Sequence, residues 1–84
     1  MFGGLGIIEV DVHGMTRMKA LNRIDYVIAK AQGSTYRIRI IHGFNSGTII
    51  RNAIREEYPK RSRKVIRVVK GRNPGETELV LKEY

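Results

Sequence analysis

Four short apolar runs, rich in β-branched residues, are spaced along the chain and are typical of strands. They cover residues 7–12, 36–41, 65–69 and 77–81. In the second run Tyr, Arg, Ile, Arg and Ile alternate, which predicts a strand with one apolar face and one face that carries arginine. The turn residues Asn73-Pro74-Gly75 separate the last two runs.

Two segments between these runs carry apolar residues at the three-and-four spacing of a helix with one buried face. The first helix is predicted from Thr16, a capping residue, to about Gln32, and Gly33 is predicted to end it in a left-handed conformation. The second is predicted over about residues 46–58, and Pro59 ends it. The positions predicted to be buried are Ala20, Leu21, Ile24, Val27, Ile28 and Ala31 in the first helix and Ile50, Ala53 and Ile54 in the second.

The order strand, helix, strand, helix, strand, strand predicts an α/β (α+β) two-layer sandwich. Right-handed crossovers place both helices on the same face of the sheet when the strand order does not reverse. The other face stays open, carries Arg37, Arg39 and Arg67, and could lie against a nucleic-acid backbone. The glycine-rich residues 1–6 are expected to form a flexible N-terminal segment, and residues 7–84 a single domain.

Charge and composition narrow the choice of partner. Sixteen lysines and arginines against eight acidic residues give a net charge of +8, which in a domain of 84 residues points to a polyanion, with nucleic acid first. The absence of cysteine excludes disulfides, cysteine-bound zinc and a thiol nucleophile. No apolar stretch approaches the ~20 residues of a membrane span, and no signal sequence is evident. We therefore expect a cytoplasmic protein with no membrane partner.

The two histidines, His13 and His42, each stand before a glycine at the end of an apolar run. If the two runs are parallel strands, both imidazoles emerge at the carboxyl edge of the sheet, where ligands of open α/β sheets usually bind. Asp11 lies two residues before His13, so both side chains leave the strand on the same face. Such a pair can hold a divalent metal, or the carboxylate can orient the imidazole as an acid or base. The alternative is that Asp11 and His13 only fix the conformation of the following loop.

The second histidine begins the segment His42–Gly47, whose amides could cradle a phosphate at a helix start. The glycine spacing is not that of a P-loop, so no nucleotide site is implied, and an ordinary strand-to-helix turn is the alternative. Arg17, Lys19 and Arg51 lie in the first turns of the two helices, where a positive charge is unfavourable because it opposes the helix dipole. A binding site for an anion at this edge would explain why cations occur there. Further predicted contacts are Phe44, which could stack on a base or plug the loop, and Lys70 and Arg72, which reach this edge if the third strand is parallel to the first two.

Together, the segments Val10-Asp11-Val12-His13-Gly14, His42 to Gly47 and Asn73 to Leu81 resemble the Smr (small MutS-related) domain family, over about residues 7–84. The resemblance implies a four-stranded mixed sheet with two helices on one face, like the C-terminal domain of translation initiation factor 3. It also implies binding of DNA or RNA and, in many members, endonuclease activity helped by Mg or Mn. Asn45 replaces the middle glycine of the second motif, which could crowd an approaching phosphate.

This resemblance predicts a metal-assisted endonuclease that nicks DNA or RNA, with no nucleotide or organic cofactor. Asp11 would hold a metal with His13 or orient it, His13 would be the general base or acid, and His42 would stabilise or protonate the leaving oxygen. The predicted nucleic-acid contacts are Arg17, Lys19, Gly43, Phe44, Asn45, Ser46, Gly47, Arg51, Lys70 and Arg72. The alternatives are a non-catalytic DNA- or RNA-binding module, stand-alone or from a MutS-like mismatch repair or recombination protein, and a ribosome-associated domain.

Overall fold

The computed structural model describes residues 6–44 and 48–83. The elements follow the predicted order, with boundaries that differ from the prediction by up to two residues. They are β1 (Ile7–Asp11), α1 (Arg17–Lys30), β2 (Arg37–Ile41), α2 (Thr48–Glu57), β3 (Arg67–Lys70) and β4 (Glu76–Val80). The predicted start of the second helix, at residue 46 or 47, lies outside the described residues.

The four strands form one mixed sheet in the order β1-β2-β4-β3. β1 pairs with β2 in parallel, and β4 is antiparallel to both of its neighbours, β2 and β3. β3 therefore runs parallel to β1 and β2, as the sequence argument required. The ends of these three strands meet at one edge, which we call the carboxyl edge; its described residues are 11–14, 42–44 and 70–76.

Both helices pack on the same face of the sheet, which confirms the predicted two layers. Ile38, Ile40 and Leu79 are buried at the centre of the sheet and share one apolar cluster with the helices. All the predicted apolar positions of the helices are buried except Ala31, which is half-buried against the cluster. Burying an aliphatic side chain of this size stabilises the fold by about 1.5–3 kcal/mol. Within residues 6–44 and 48–83, no helix is long and apolar enough to cross a bilayer.

The start of α1 follows the prediction, but its end does not. The Thr16 hydroxyl caps the helix by accepting the Lys19 amide at 3.2 Å. The prediction that Gly33 ends the helix in a left-handed conformation is wrong: the helix stops at Lys30, Ala31 is already extended, and Gly33 is not among the glycines with positive φ. The chain leaves the helix through extended backbone and a turn in which the Thr35 amide donates to the Gln32 carbonyl.

Gly6 belongs to the ordered domain, although the sequence assigned it to a flexible segment. Its carbonyl accepts the amides of Tyr36 at 2.8 Å and Arg37 at 3.3 Å, which ties the start of β1 to β2. Its φ is +91°, and a Cβ there would lie 2.7 Å from the Ser34 carbonyl oxygen. A glycine is therefore required here. Residues 1–5 lie outside the described residues.

Candidate nucleic-acid-binding edge

Asp11 and His13 form a hydrogen-bonded pair at the end of β1. Asp11 Oδ1 accepts the His13 backbone amide at 3.0 Å and lies 2.6 Å from His13 Nδ1. Because a carboxylate only accepts, Nδ1 carries a proton, and in the neutral ring Nε2 holds the lone pair. Hydrogen bonds from the His13 ring and backbone lower the pKa of Asp11 below its ordinary value. The His13 side chain is 71% exposed and that of Asp11 53%, so an oriented imidazole with a free nitrogen faces solvent.

This pair supplies few donors for a metal ion. The part of the chain that the structure describes contains no group of three His, Cys, Asp or Glu side chains arranged to hold one. Asp11 and His13 could contribute at most two ligands. Such a set fits Mg²⁺ or Mn²⁺ held jointly by a carboxylate, waters and substrate phosphate oxygens, and it does not fit a closed all-protein site.

His42, in contrast, points into the protein. Its residue exposure is 2%. Nδ1 lies 3.1 Å from the Gly43 carbonyl and Nε2 lies 2.8 Å from the Thr77 hydroxyl. Since a carbonyl only accepts, Nδ1 carries the proton, and Nε2 accepts from Thr77. Burial, with a smaller contribution from nearby Arg51 and Arg55, lowers the pKa of His42 below its ordinary value, so the ring is neutral at pH 7.

The geometry therefore does not support the predicted contact between His42 and a leaving oxygen. The alternation of inward and outward side chains along each strand already distinguishes the two histidines. His42 has the parity of the buried Ile38 and Ile40, whereas His13 has the parity of the outward-facing Glu9 and Asp11. Two His-Gly steps that look alike in sequence thus place one imidazole in solvent and the other in the core.

The prediction that both imidazoles emerge at this edge is therefore wrong, although the two His-Gly steps themselves lie side by side. The Val12 amide donates to the Ile41 carbonyl at 2.9 Å, just before both turns. Gly14 and Gly43 have φ of +75° and +87°, and a Cβ on Gly43 would lie 3.7 Å from His13 Cβ. The backbones of the two steps converge even though their imidazoles diverge.

The β3–β4 turn closes over the second His-Gly step. The carbonyl of Gly75 accepts the amides of both His42, at 2.9 Å, and Gly43, at 3.0 Å. The predicted phosphate contact through the Gly43 amide is therefore wrong, because that amide is already bonded. Phe44 is 62% exposed beside Gly75, where it remains available to a base. Asn45, Ser46 and Gly47, the rest of the predicted cradle, lie outside the described residues.

Two of the predicted phosphate-binding arginines are occupied by carboxylates. Arg17 pairs with Glu56 at 3.3 Å and with Glu57 at 2.9 Å, both near the end of α2. Arg72 pairs with Glu76 at 2.8 Å. A phosphate would have to displace these contacts, so Arg17 and Arg72 are weaker candidates than the sequence suggested.

The open face of the sheet is also neutralised. Glu78, which is buried, accepts from Arg37 at 2.8 Å and from Arg39 at 2.9 Å, and Arg39 reaches Glu9 at 3.0 Å. Arg67 pairs with Glu83 at its rim. The suggestion that this face lies against a nucleic-acid backbone loses its support, because its arginines are balanced by carboxylates.

The surplus positive charge is instead on the helices, the turns and the carboxyl edge. Each of the eight acidic residues lies within 4.0 Å of a cationic side chain or of His13, and together they occupy six of the sixteen lysines and arginines. The other ten have no carboxylate partner among the described residues. They are Lys19, Arg23, Lys30, Arg51, Arg55, Lys60, Arg63, Lys64, Lys70 and Lys82.

Three of these cations line one cavity at the carboxyl edge. Arg51 and Arg55 of α2, with Lys70 at the end of β3, surround about 320 Å³ that the β3–β4 turn closes. The Arg51 Nε is buried and has no hydrogen-bond partner among residues 6–44 and 48–83. The arrangement suits an anion such as a phosphate, with hydrogen-bond capacity to spare. The sequence predicted Arg51 and Lys70 but missed Arg55, whose signal was its position one helical turn after Arg51.

Comparisons with known proteins agree with this architecture. The profile of the Smr domain family matches residues 10–78. The fold is similar to the crystal structure of the Smr domain of Thermus thermophilus MutS2, with a TM-score of 0.76 and 29% sequence identity over 89% of this chain and 98% of that chain. No curated protein sequence matches the chain.

Proposed function

The chain belongs to the Smr domain family, and from that premise we propose that it binds DNA or RNA through backbone phosphates and nicks one strand by hydrolysing a phosphodiester. The observation that carries this proposal is the Asp11–His13 pair. It is exposed, oriented and on the same sheet edge as the cavity of Arg51, Arg55 and Lys70.

In the proposed reaction, His13 Nε2 accepts a proton from the water that attacks the phosphorus. A new P–O bond forms, the bond to one bridging oxygen breaks, and that oxygen takes a proton from solvent. Asp11 holds Nδ1–H, so it fixes the ring and stabilises the imidazolium as it forms. His42 is a positioning residue, because it joins Thr77 of β4 to the start of the second loop.

Arg51, Arg55 and Lys70 would neutralise backbone phosphates next to the site of cleavage. A contact of this kind carries no sequence information, so binding would be sequence-indifferent and weakened by salt. A Mg²⁺ or Mn²⁺ ion held by the Asp11 carboxylate would supply Lewis-acid stabilisation of the phosphoryl oxygens when bound, while His13 Nε2 stays free to act as the base.

Cleavage is tested on supercoiled plasmid and on structured RNA, each with Mn²⁺, Mg²⁺ or EDTA. The His13→Ala variant should lose about 10²–10⁴-fold in nicking rate, the contribution usual for a general base, while its affinity for the same nucleic acid stays close to that of the parent. Asp11→Asn should behave likewise. Cleavage by His13→Ala at the parent rate would exclude the assigned base.

Binding is tested by the salt dependence of affinity. Replacing Arg51, Arg55 and Lys70 with Gln should reduce the slope of log K against log salt by up to about 3 on duplex DNA, since each phosphate contact contributes ~0.9. The control replaces Lys60, Arg63 and Lys82, which also lack carboxylate partners but do not line the cavity. Equal slopes in the two triple variants would show that the cavity does not hold phosphate.

A non-catalytic nucleic-acid-binding module is the second candidate. It is favoured by the absence of a third metal-ligating side chain beside Asp11 and His13 in residues 6–44 and 48–83. This candidate predicts tight, salt-sensitive binding with no metal-dependent products on either substrate.

A further inference from the structure

A second cation-lined depression lies on the β1 side of the carboxyl edge. Its volume is about 640 Å³, and it lies between β1, the outermost strand of the sheet, and the flank of α1. Asp11 lines it from β1, and Arg23, Tyr26 and Lys30 line it from α1. We call these four residues and the space between them the Tyr26 groove.

Tyr26 is the exposed aromatic side chain of this groove. It is 55% exposed. Arg23 Cζ lies 5.8 Å and Lys30 Nζ lies 5.6 Å from the centre of its ring. Both distances are near the outer limit of about 6 Å for a cation over an aromatic ring. The cations therefore flank the ring without being packed tightly on it, and a planar group could take their place.

Neither cation is neutralised within the groove. Arg23 and Lys30 have no carboxylate partner among the described residues. The other acidic residue that lines the groove, Glu9, already pairs with Arg39 at 3.0 Å. Nothing in the core requires this combination, because Tyr26 lies on the solvent side of a helix whose buried stripe is complete without it.

We propose that the Tyr26 groove binds an unpaired base of the nucleic-acid strand, stacked on the Tyr26 ring, with Arg23 and Lys30 holding the adjoining phosphates. The inference rests on the proposed nucleic-acid function and adds a substrate class to it. An aromatic ring between cations is common in proteins that bind single-stranded nucleic acid, because every base has a face that can stack on the ring. Bases inside a continuous duplex are already stacked on each other and cannot reach the ring.

The position of Asp11 links the groove to the chemistry. Asp11 lines the groove and also orients His13. A strand whose base stacks on Tyr26 could therefore run along the groove towards the Asp11–His13 pair. The domain would select nucleic acids with an unpaired nucleotide next to the phosphodiester that is cut, such as a loop, flap or single-stranded overhang.

The experiment compares a fluorescently labelled single-stranded oligonucleotide with the blunt duplex of that oligonucleotide and its complement, which has no unpaired base, in fluorescence anisotropy at fixed salt. The parent should bind the single strand more tightly. Tyr26→Ala should lose about 5- to 150-fold in affinity for the single strand, the range expected for one stacked base, and change little on the blunt duplex. Tyr26→Phe keeps the ring and should bind both substrates like the parent.

The charges are tested with a matched pair of variants. Arg23→Gln with Lys30→Gln removes two unpaired cations at the groove, and Lys60→Gln with Arg63→Gln removes two elsewhere. The first double variant should weaken single-strand binding more than the second. Because all of these side chains are exposed, thermal unfolding should show every variant folded.

Three results would overturn the inference. One is parent-like single-strand binding by Tyr26→Ala, and another is an equal loss on the single strand and on the blunt duplex. The third is selective capture of an acidic peptide by the groove while nucleic-acid binding is unchanged by Tyr26→Ala. In these cases the proposed nucleic-acid function stands. If the parent binds neither nucleic acid, the proposed function itself fails.

Discussion

Replacing each histidine with alanine should separate their roles most clearly. His42 is almost fully buried, and its two ring nitrogens bond to the Thr77 hydroxyl and the Gly43 carbonyl. His42→Ala opens a cavity and leaves the Thr77 hydroxyl without its partner. Large-to-small core changes cost about 2–5 kcal/mol, and an unpaired buried polar group adds about 1–3 kcal/mol. Because the imidazole is partly polar, its removal loses less hydrophobic free energy than removal of an aliphatic side chain. We therefore expect the free energy of unfolding to fall by about 2–4 kcal/mol in total.

This loss is large for so small a domain. At about 0.05–0.15 kcal/mol per residue, its whole stability is roughly 4–13 kcal/mol. The melting temperature should therefore fall by about 8–30 °C in His42→Ala, since each kcal/mol shifts it by ~4–8 °C at this size. His13→Ala, at an exposed position, should change stability by no more than about 0.5 kcal/mol.

The assay is urea unfolding followed by circular dichroism near neutral pH, with Thr77→Val and the double variant completing a cycle. Thr77→Val alone should cost about 1–3 kcal/mol because His42 Nε2 then has no donor. The two changes should be less than additive, since either one breaks the same bond. The reasoning would be refuted if His42→Ala were as stable as the parent, or if His13→Ala were the more damaging change.

Two further predictions concern pH and the β3–β4 turn. Burial lowers the pKa of His42 below 6.5 in the folded state, so the unfolded chain binds more protons between the two values and stability should fall as pH drops through that range. Titration of the His42 ring followed by NMR should give a midpoint below 6.5, and a midpoint above it would contradict this sign. Gly71→Ala should destabilise the fold by about 1–3 kcal/mol, because its Cβ would lie 2.8 Å from the Glu76 carbonyl carbon. Gly33→Ala has open space at negative φ and is the control; equal urea midpoints for the two variants would show that the turn relaxes freely.

The ion pairs decide which of the sixteen lysines and arginines behind the net charge of +8 can bind a phosphate. The sequence placed cations at the carboxyl edge by their positions in first helical turns and after the third strand, and Arg17 and Arg72 were among them. The structure shows that both are held by glutamates, whereas Arg51, Arg55 and Lys70 are not. Two groups of the cations that remain flank the Asp11–His13 pair, one beside α2 and one beside α1. Others, among them Lys60, Arg63, Lys64 and Lys82, lie on neither flank.

The six elements and the outward-facing catalytic candidate could be predicted from the amino-acid pattern alone. The helical period and the β-branched runs depend on residues close in the chain, so they predicted six elements in the right order. The Asp11–His13 pair is equally local, since residues two apart on a strand share a face. The burial of His42 could also have been predicted, because His42 lies at an even-numbered position of the strand pattern, like the buried Ile38 and Ile40.

Which polar groups are left free depends instead on contacts between elements that are distant in the chain. β4 inserts between β2 and β3, and this brings Thr77 to His42 and the Gly75 carbonyl to the Gly43 amide. The partners of Arg17 lie about forty positions away in the chain. A hydrogen bond or ion pair forms between groups that the fold brings together whatever their separation in sequence. Whether a loop amide or an arginine can meet a phosphate is therefore settled by packing, which composition and spacing do not record.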